Sequence, residues 1–127
     1  MIDEGAMMVG SAAVFAVADM ETSVSYYRDV LGFDVTFQYG EPIYYTCLCR
    51  DEVALHLNAS TSTTRLPGHG SLCVFVRDVD GLYAELVARG ARTLKAPQTY
   101  AYGMRDFDVL DPDGNQLVFG MGVSAAD

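Results

Sequence analysis

The chain has no tryptophan, and only 3 cysteines, 4 prolines and 2 histidines. Without tryptophan, any flat stacking surface has to be built from its 8 tyrosines and 6 phenylalanines. Cys47, Cys49 and Cys73 are odd in number and embedded in apolar segments, which excludes a disulfide framework and predicts buried free thiols. Cations are scarce as well: 8 Lys and Arg stand against 17 Asp and Glu, a formal net charge of −9. That balance argues against nucleic acid or an anionic membrane surface as partner, and leaves room for a cationic small molecule. No apolar run approaches the roughly 18 residues of a membrane span. The beginning, MIDEGAMMVG, is acidic where a secretory signal would be basic, so the expected location is the cytoplasm.

What is present is a repeat. VFAVADMETSVSYY (14–27) lies over CVFVRDVDGLYAEL (73–86), so that Val17 meets Val76, Asp19 meets Asp78 and Tyr27 meets Leu86. One residue of slippage then pairs Gly32 with Gly90. Each half reads as strand, cap, amphipathic helix, glycine stop and further strands. Ala13, Phe15 and Val17 alternate on one face of a strand. Asp19 and Asp78 stand where a carboxylate accepts the free N–H groups of a first helical turn. Met20, Val24, Tyr27 and Leu31 recur at helical spacing, as do Val79, Leu82 and Leu86, and the glycines supply left-handed stops.

Extended segments follow each helix: 34–39, 42–49 and 52–58 in the first half; 92–101, 104–110 and 115–121 in the second. The chain of 127 residues is therefore expected to be a single domain (1–127) of α+β class with two βαβββ modules, about 11–58 and 71–121. The polar stretch ASTSTTRLPGHG (59–70) is a surface crossover between them, and His69 within it is expected to be exposed.

The last hairpin carries the sharpest register signal. Asp111-Pro112-Asp113-Gly114 suits a type I turn followed by a left-handed glycine, closing Asp111 against Asn115. Val109 then pairs with Leu117 and Phe107 with Phe119, one apolar face for the helices. The other face holds Asp106, Asp108, Gln116 and Val118, because a one-residue slip would bury both aspartates under a helix. Whether they line a cleft or its solvated rim is open at this level.

The paired modules, the segments SVSYYRDVLGFDV and VRDVDGLYAEL, and the ending GMRDFDVLDPDGNQLVF resemble the glyoxalase / bleomycin-resistance / extradiol-dioxygenase group, the vicinal oxygen chelate superfamily. The resemblance spans roughly residues 11 to 121. It implies a curved mixed sheet around a concave cleft, with helices outside, and homodimers whose clefts form where sheets from two chains meet. Enzymes of the group hold a divalent metal on the concave surface. The positions here that match their usual ligands are Ala12, His56, Ser71 and Val118. Ala and Val offer no donor and Ser is a poor one, so neither a metal nor another cofactor is expected.

Alternation in VALHLN places His56 and Asn58 on the concave side. Cys47 and Cys49 share a face of their strand, but they are read as small apolar residues with no neighbouring base. Either Tyr44 or Tyr45 must point under the helix. Tyr102 occupies the aromatic place before the GMR motif that bleomycin-resistance-type relatives carry, and Arg105 is read as an anchor for a carboxylate. The resulting expectation is a metal-independent protein that binds a cationic or aromatic small molecule through His56, Asn58, Tyr44, Tyr102, Asp106, Asp108 and Gln116, with no catalytic residue. The alternative is a glyoxalase-like or dioxygenase-like enzyme, in its metal-free form using His56 and an aspartate as acid and base.

Overall fold

The computed structural model describes residues 5–124 of the chain. Its elements run β1 (Ala13–Val17), α1 (Met20–Ser25) continuing into a π-helical turn (Tyr26–Val30), β2 (Asp34–Tyr39), β3 (Tyr45–Arg50), β4 (Val53–Ala59), a 3-10 turn (Ser60–Ser62), β5 (Ser71–Phe75), α2 (Val79–Ala88), β6 (Arg92–Thr99), β7 (Met104–Leu110) and β8 (Gln116–Gly122). They build two four-stranded mixed sheets of matching order, β1-β4-β3-β2 and β5-β8-β7-β6. The first strand of each set runs parallel to the last, and the remaining pairs are antiparallel. Among the described residues, no helix is long and apolar enough to cross a membrane.

The helix starts follow from the cap residues. Asp19 accepts from the Thr22 backbone N–H at 3.2 Å, and Asp78 from that of Gly81 at 2.9 Å. The slippage between the two halves also has a physical cause. The first half has one more residue between cap and glycine stop, and Tyr26–Val30 absorbs it as a π turn in which Leu31 N–H bonds to the Tyr26 carbonyl at 3.1 Å. This turn lets two consecutive tyrosines reach the second half: Tyr26 donates to the Leu110 carbonyl at 2.7 Å and Tyr27 to Asp111 at 2.9 Å.

Both sheets turn their apolar face to one shared core. Phe15, Val17, Leu48, Leu55 and Leu57 from the first meet Val74, Phe107, Val109, Leu117 and Phe119 from the second, with Tyr27, Leu31, Val79 and Leu86 from the helical segments between them. Two polar devices fasten the halves. Arg50 bridges to Glu85 at 2.9 Å and donates to the Leu31 carbonyl at 2.9 Å. Asn115, fully buried, donates to the Ala16 carbonyl at 3.1 Å and to Asp111 at 2.9 Å, and accepts from the Gly70 N–H at 2.8 Å.

The Asp-Pro-Asp-Gly turn forms as its sequence dictates. Gly114 has φ of +96°, its N–H reaches the Asp111 carbonyl at 3.0 Å, and the Asp111 N–H reaches the Asn115 carbonyl at 2.9 Å. Val109 pairs with Leu117 and Phe107 with Phe119. Strand β3 is the element that departs from expectation. It begins at Tyr45, because residues 40–43 form a turn, and neither Tyr44 nor Tyr45 is buried under a helix. Thr46 takes that place, fully buried, with its hydroxyl 3.3 Å from the Met20 sulfur.

Candidate functional site

The faces opposite the core are open, and their side chains are set out in cross-strand rows. On the first sheet, one row is Val14, His56, Cys47 and Phe37, and the next is Ala16, Asn58, Tyr45 and Tyr39. His56 lies on this face because its neighbours Leu55 and Leu57 are buried in the core. The Tyr45 hydroxyl meets His56 Nδ1 at 2.8 Å and thereby fixes the ring. Burial raises the Tyr45 phenol's pKa, and charge on Cys47 raises it further. Phe37 and Tyr39 stack at 6.4 Å along the edge strand, and Tyr44 meets Tyr39 edge-on at 5.7 Å. Asn58 accepts a short hydrogen bond from the Ser62 hydroxyl at the rim.

On the second sheet, one row is Cys73, Val118, Asp108 and Lys95, with Gly120 and Asp106 in the next. Lys95 was not anticipated from the sequence. Its ammonium lies 2.5 Å from Asp106, 3.8 Å from Asp108 and 2.6 Å from the Tyr100 hydroxyl. Partial burial alone would lower the Lys95 pKa, but these hydrogen bonds and charges outweigh it and raise the value. Gln116 donates to Asp108 at 2.8 Å. Tyr100 and Tyr102 stack nearly parallel, 5.2 Å apart and 4° between planes, and Tyr102 is 71% exposed. The two carboxylates therefore lie on the open face as expected, but one of their two charges is neutralised from within.

The structure groups the expected site residues into two sets. Tyr102, Asp106, Asp108 and Gln116 converge on the second sheet; His56, Asn58 and Tyr44 belong to the first. Within one chain it pairs His56 with Tyr45 rather than with an aspartate, so the acid–base couple of the enzyme reading does not form there. Arg105 holds Asp80 at 2.8 Å, a surface carboxylate anchor, and His69 is exposed. The cysteines correct an expectation. None is in the core: Cys73 is exposed, Cys47 and Cys49 are half-buried on the open face, and Cys47 stands opposite His56.

A divalent metal of the kind the superfamily resemblance implies does not fit these donors. Ala12 and Val118 have no ligating atom, His56 and Ser71 sit on different sheets, and no three His, Cys, Asp or Glu side chains among the described residues are grouped to hold an ion. Two grooves among the described residues lie elsewhere, one between the β3–β4 turn and α2, the other between α1 and the 38–43 segment. None of the expected site residues lines either groove.

Comparison with known proteins agrees with this architecture. The family model described as Glyoxalase/Bleomycin resistance protein/Dioxygenase superfamily matches residues 10–119. Among solved structures, the bleomycin-binding protein of bleomycin-producing Streptomyces verticillus, complexed with copper(II)-bleomycin, is 26% identical. The match has a TM-score of 0.76 and covers 92% of this chain and 98% of that one. A glyoxalase/bleomycin resistance protein from Catenulispora acidiphila is 29% identical with a TM-score of 0.72, covering 90% of this chain and 98% of that one. A superfamily member from Sphaerobacter thermophilus is 26% identical with a TM-score of 0.76, covering 91% and 98%. No curated protein matches. The chain belongs to the glyoxalase/bleomycin resistance protein/dioxygenase superfamily.

Proposed function

We propose that this protein binds a planar aromatic small molecule, without a metal, as a homodimer. The observation that carries the reading is the stacked Tyr100–Tyr102 pair, its outer ring 71% exposed beside Asp106 and Asp108. A ring so placed offers a face for stacking and for cation–π contact, and the carboxylates add one net negative charge after Lys95 is counted. The ligand is therefore chosen by its flat surface first and by a single positive charge second. The solved bleomycin-binding relative supports the ligand class.

Dimerisation supplies what one open face lacks. Small-molecule sites bury roughly 70–90% of their ligand, whereas here Phe37, Tyr39 and Phe75 are more than half exposed on open sheet. A second copy laid over these faces brings the set around His56, Asn58 and Tyr44 against the set around Tyr102, Asp106, Asp108 and Gln116.

Thermal-shift and calorimetric titration with bleomycin and with simple cationic aromatic dyes, each with and without EDTA, tests the reading. Stabilisation by at least one of these ligands, unchanged by EDTA and weakened at least about tenfold in Tyr102→Ala, is expected. Stoichiometric Zn, Ni, Fe or Mn in protein purified without chelator, with binding lost on chelation, would overturn it. A monomer by sedimentation at micromolar concentration, with or without ligand, would remove the dimeric cleft.

A further inference from the structure

Free cysteine is among the most buried residue types and behaves as a small apolar group in cores. This chain does the opposite with all 3 of its cysteines. In β3 the core positions go to Thr46 and Leu48, and Cys47 and Cys49 take the alternate, open-face positions. Cys73 sits on the open face of β5. Core packing does not account for thiols placed on the sheet face that the candidate ligand would touch, Cys47 and Cys49 half-buried there and Cys73 exposed.

Their surroundings differ. Cys49 stands between Ala54 and Asp34, and Cys73 opposite Val118. Ala54 and Val118 cannot take a proton, and a carboxylate beside a thiol disfavours the thiolate. Cys47 stands directly opposite His56, and opposed residues on one sheet face have Cβ atoms about 4.5–5.5 Å apart. The His56 ring is in turn held at Nδ1 by the Tyr45 hydroxyl at 2.8 Å. Cys47, His56 and Tyr45 thus stand in the order nucleophile, base and orienting group, with the base one cross-strand step from the thiol and not hydrogen-bonded to it in this conformation. The tautomer the proposal requires donates Nδ1–H to the Tyr45 oxygen, which leaves the Nε2 lone pair to accept the thiol proton.

We propose that Cys47 is a nucleophilic thiol served by His56, and that the open face of the first sheet captures α,β-unsaturated carbonyl compounds covalently. The Cys47 proton passes to His56 Nε2, and the thiolate attacks the β-carbon of the electrophile. A C–S bond forms as the C=C π pair moves onto the carbonyl oxygen as an enolate. The imidazolium then returns the proton to the α-carbon. Nothing leaves and nothing is oxidised, so the adduct has the summed mass of protein and electrophile. Tyr45 is a positioning residue, acting through the ring it holds. This goes beyond reversible aromatic binding and does not depend on it.

The test is competitive labelling of the full chain with substoichiometric N-ethylmaleimide, itself an α,β-unsaturated carbonyl, read by intact mass and peptide mapping. Exposure alone puts Cys73 first. The proposal puts Cys47 first, by about tenfold at pH 7, with the preference growing as pH falls from 8 to 6.5 and unassisted thiols become protonated. His56→Gln slows Cys47 by about tenfold, moves its pH–rate curve upward and leaves the Cys73 rate alone. Tyr45→Phe shifts the same pH–rate curve without abolishing labelling. Labelling of Cys73 ahead of Cys47, or a Cys47 rate unmoved by His56→Gln, overturns the proposal. If His56→Gln does not fold, the pH dependence of the Cys47-to-Cys73 ratio in the unaltered chain decides: a flat ratio rejects it. Because N-ethylmaleimide is not a stacking ligand, failure here leaves the dye and bleomycin titrations standing, and the converse.

Discussion

The Lys95 ammonium lies 2.5 Å from an Asp106 oxygen on the open face of the second sheet, with Asp108 at 3.8 Å sharing the same cation. The acidic character of the surface is thus set by the balance of three side chains. Lys95→Met leaves both carboxylates uncompensated beside Tyr102. A cationic aromatic dye is then expected to bind about fivefold tighter at low salt, the gain shrinking above about 0.5 M salt. Calorimetric titration at two ionic strengths measures it. Weaker binding would instead show that the ammonium itself holds the ligand.

The same lysine and Tyr27 both contribute to the loss of stability at alkaline pH. The folded pKa of each is raised: that of Tyr27 by burial and by Asp111, that of Lys95 by Asp106, Tyr100 and Asp108 against the opposing pull of burial. A raised folded pKa means that the native state keeps its proton after the unfolded chain has lost it. The stabilisation is therefore complete below about pH 10 and falls as pH rises further, by at most about 1.4 kcal/mol per pH unit for the buried Tyr27 and by less for Lys95, whose side chain is 30% exposed and screened by solvent. Urea unfolding from pH 9 to 11.5 should show this slope, and Tyr27→Phe and Lys95→Met should each flatten it. An unchanged slope in both variants contradicts the assignment.

Asp111 is the buried charge on which the junction of the halves depends. It is fully buried, and its two oxygens accept from the Asp113 and Asn115 N–H groups, the Asn115 amide and the Tyr27 hydroxyl, each at 2.9 Å. Asp111→Ala strands four donors and is expected to cost about 3–5 kcal/mol in denaturant unfolding. Tyr27→Phe removes one donor and costs about 1–3 kcal/mol. The Arg50–Glu85 bridge is a contrasting case, since both side chains are about a third exposed. A double-mutant cycle there should return a coupling of no more than about 1 kcal/mol. Arg50 hydrogen bonds hold the Glu85 pKa down, against partial burial, so that coupling is present above about pH 4.3 and disappears as pH falls.

How legible these features were depended on whether a local signal fixed the register. The Asp-Pro-Asp-Gly turn did so for β7 and β8, and Phe107, Val109, Leu117 and Phe119 fall where its spacing puts them. Lys95 was hidden because β6 carries register shifts on both sides of it, between Thr93 and Lys95 and again before Gln98, which breaks simple alternation. The Cys47–His56 pairing was within reach. A two-residue turn at Asp51 and Glu52, with Asp51 at φ of +51°, pairs Arg50 with Val53 and so sets Cys47 opposite His56. Strand-by-strand reading passed over that turn and left the thiol without a base. The tyrosines at 44 and 45 were misplaced because the chain turns at Gly40, where φ is +107° and an added Cβ would lie 2.3 Å from the Tyr44 ring. Gly40→Ala should accordingly displace Tyr44 and cost about 1–3 kcal/mol.

The π turn offers the most direct test of how the repeat was adapted. The second half runs from cap to glycine stop through a regular helix, whereas the first carries one extra residue as Tyr26–Val30. If the extra residue were a tolerated accident, deleting the exposed Arg28 would restore a regular helix and leave stability unchanged or improved. The geometry says otherwise. Tyr26 and Tyr27 reach Leu110 and Asp111 while Leu31, 1% exposed, still meets the core, and only the widened turn serves both ends. Removing a residue rotates one end by about 100° relative to the other, so either the tyrosine hydrogen bonds or the Leu31 packing is lost. The deletion is expected to cost about 3 kcal/mol or more by urea unfolding. A neutral result would show that the two tyrosines contribute nothing to the junction.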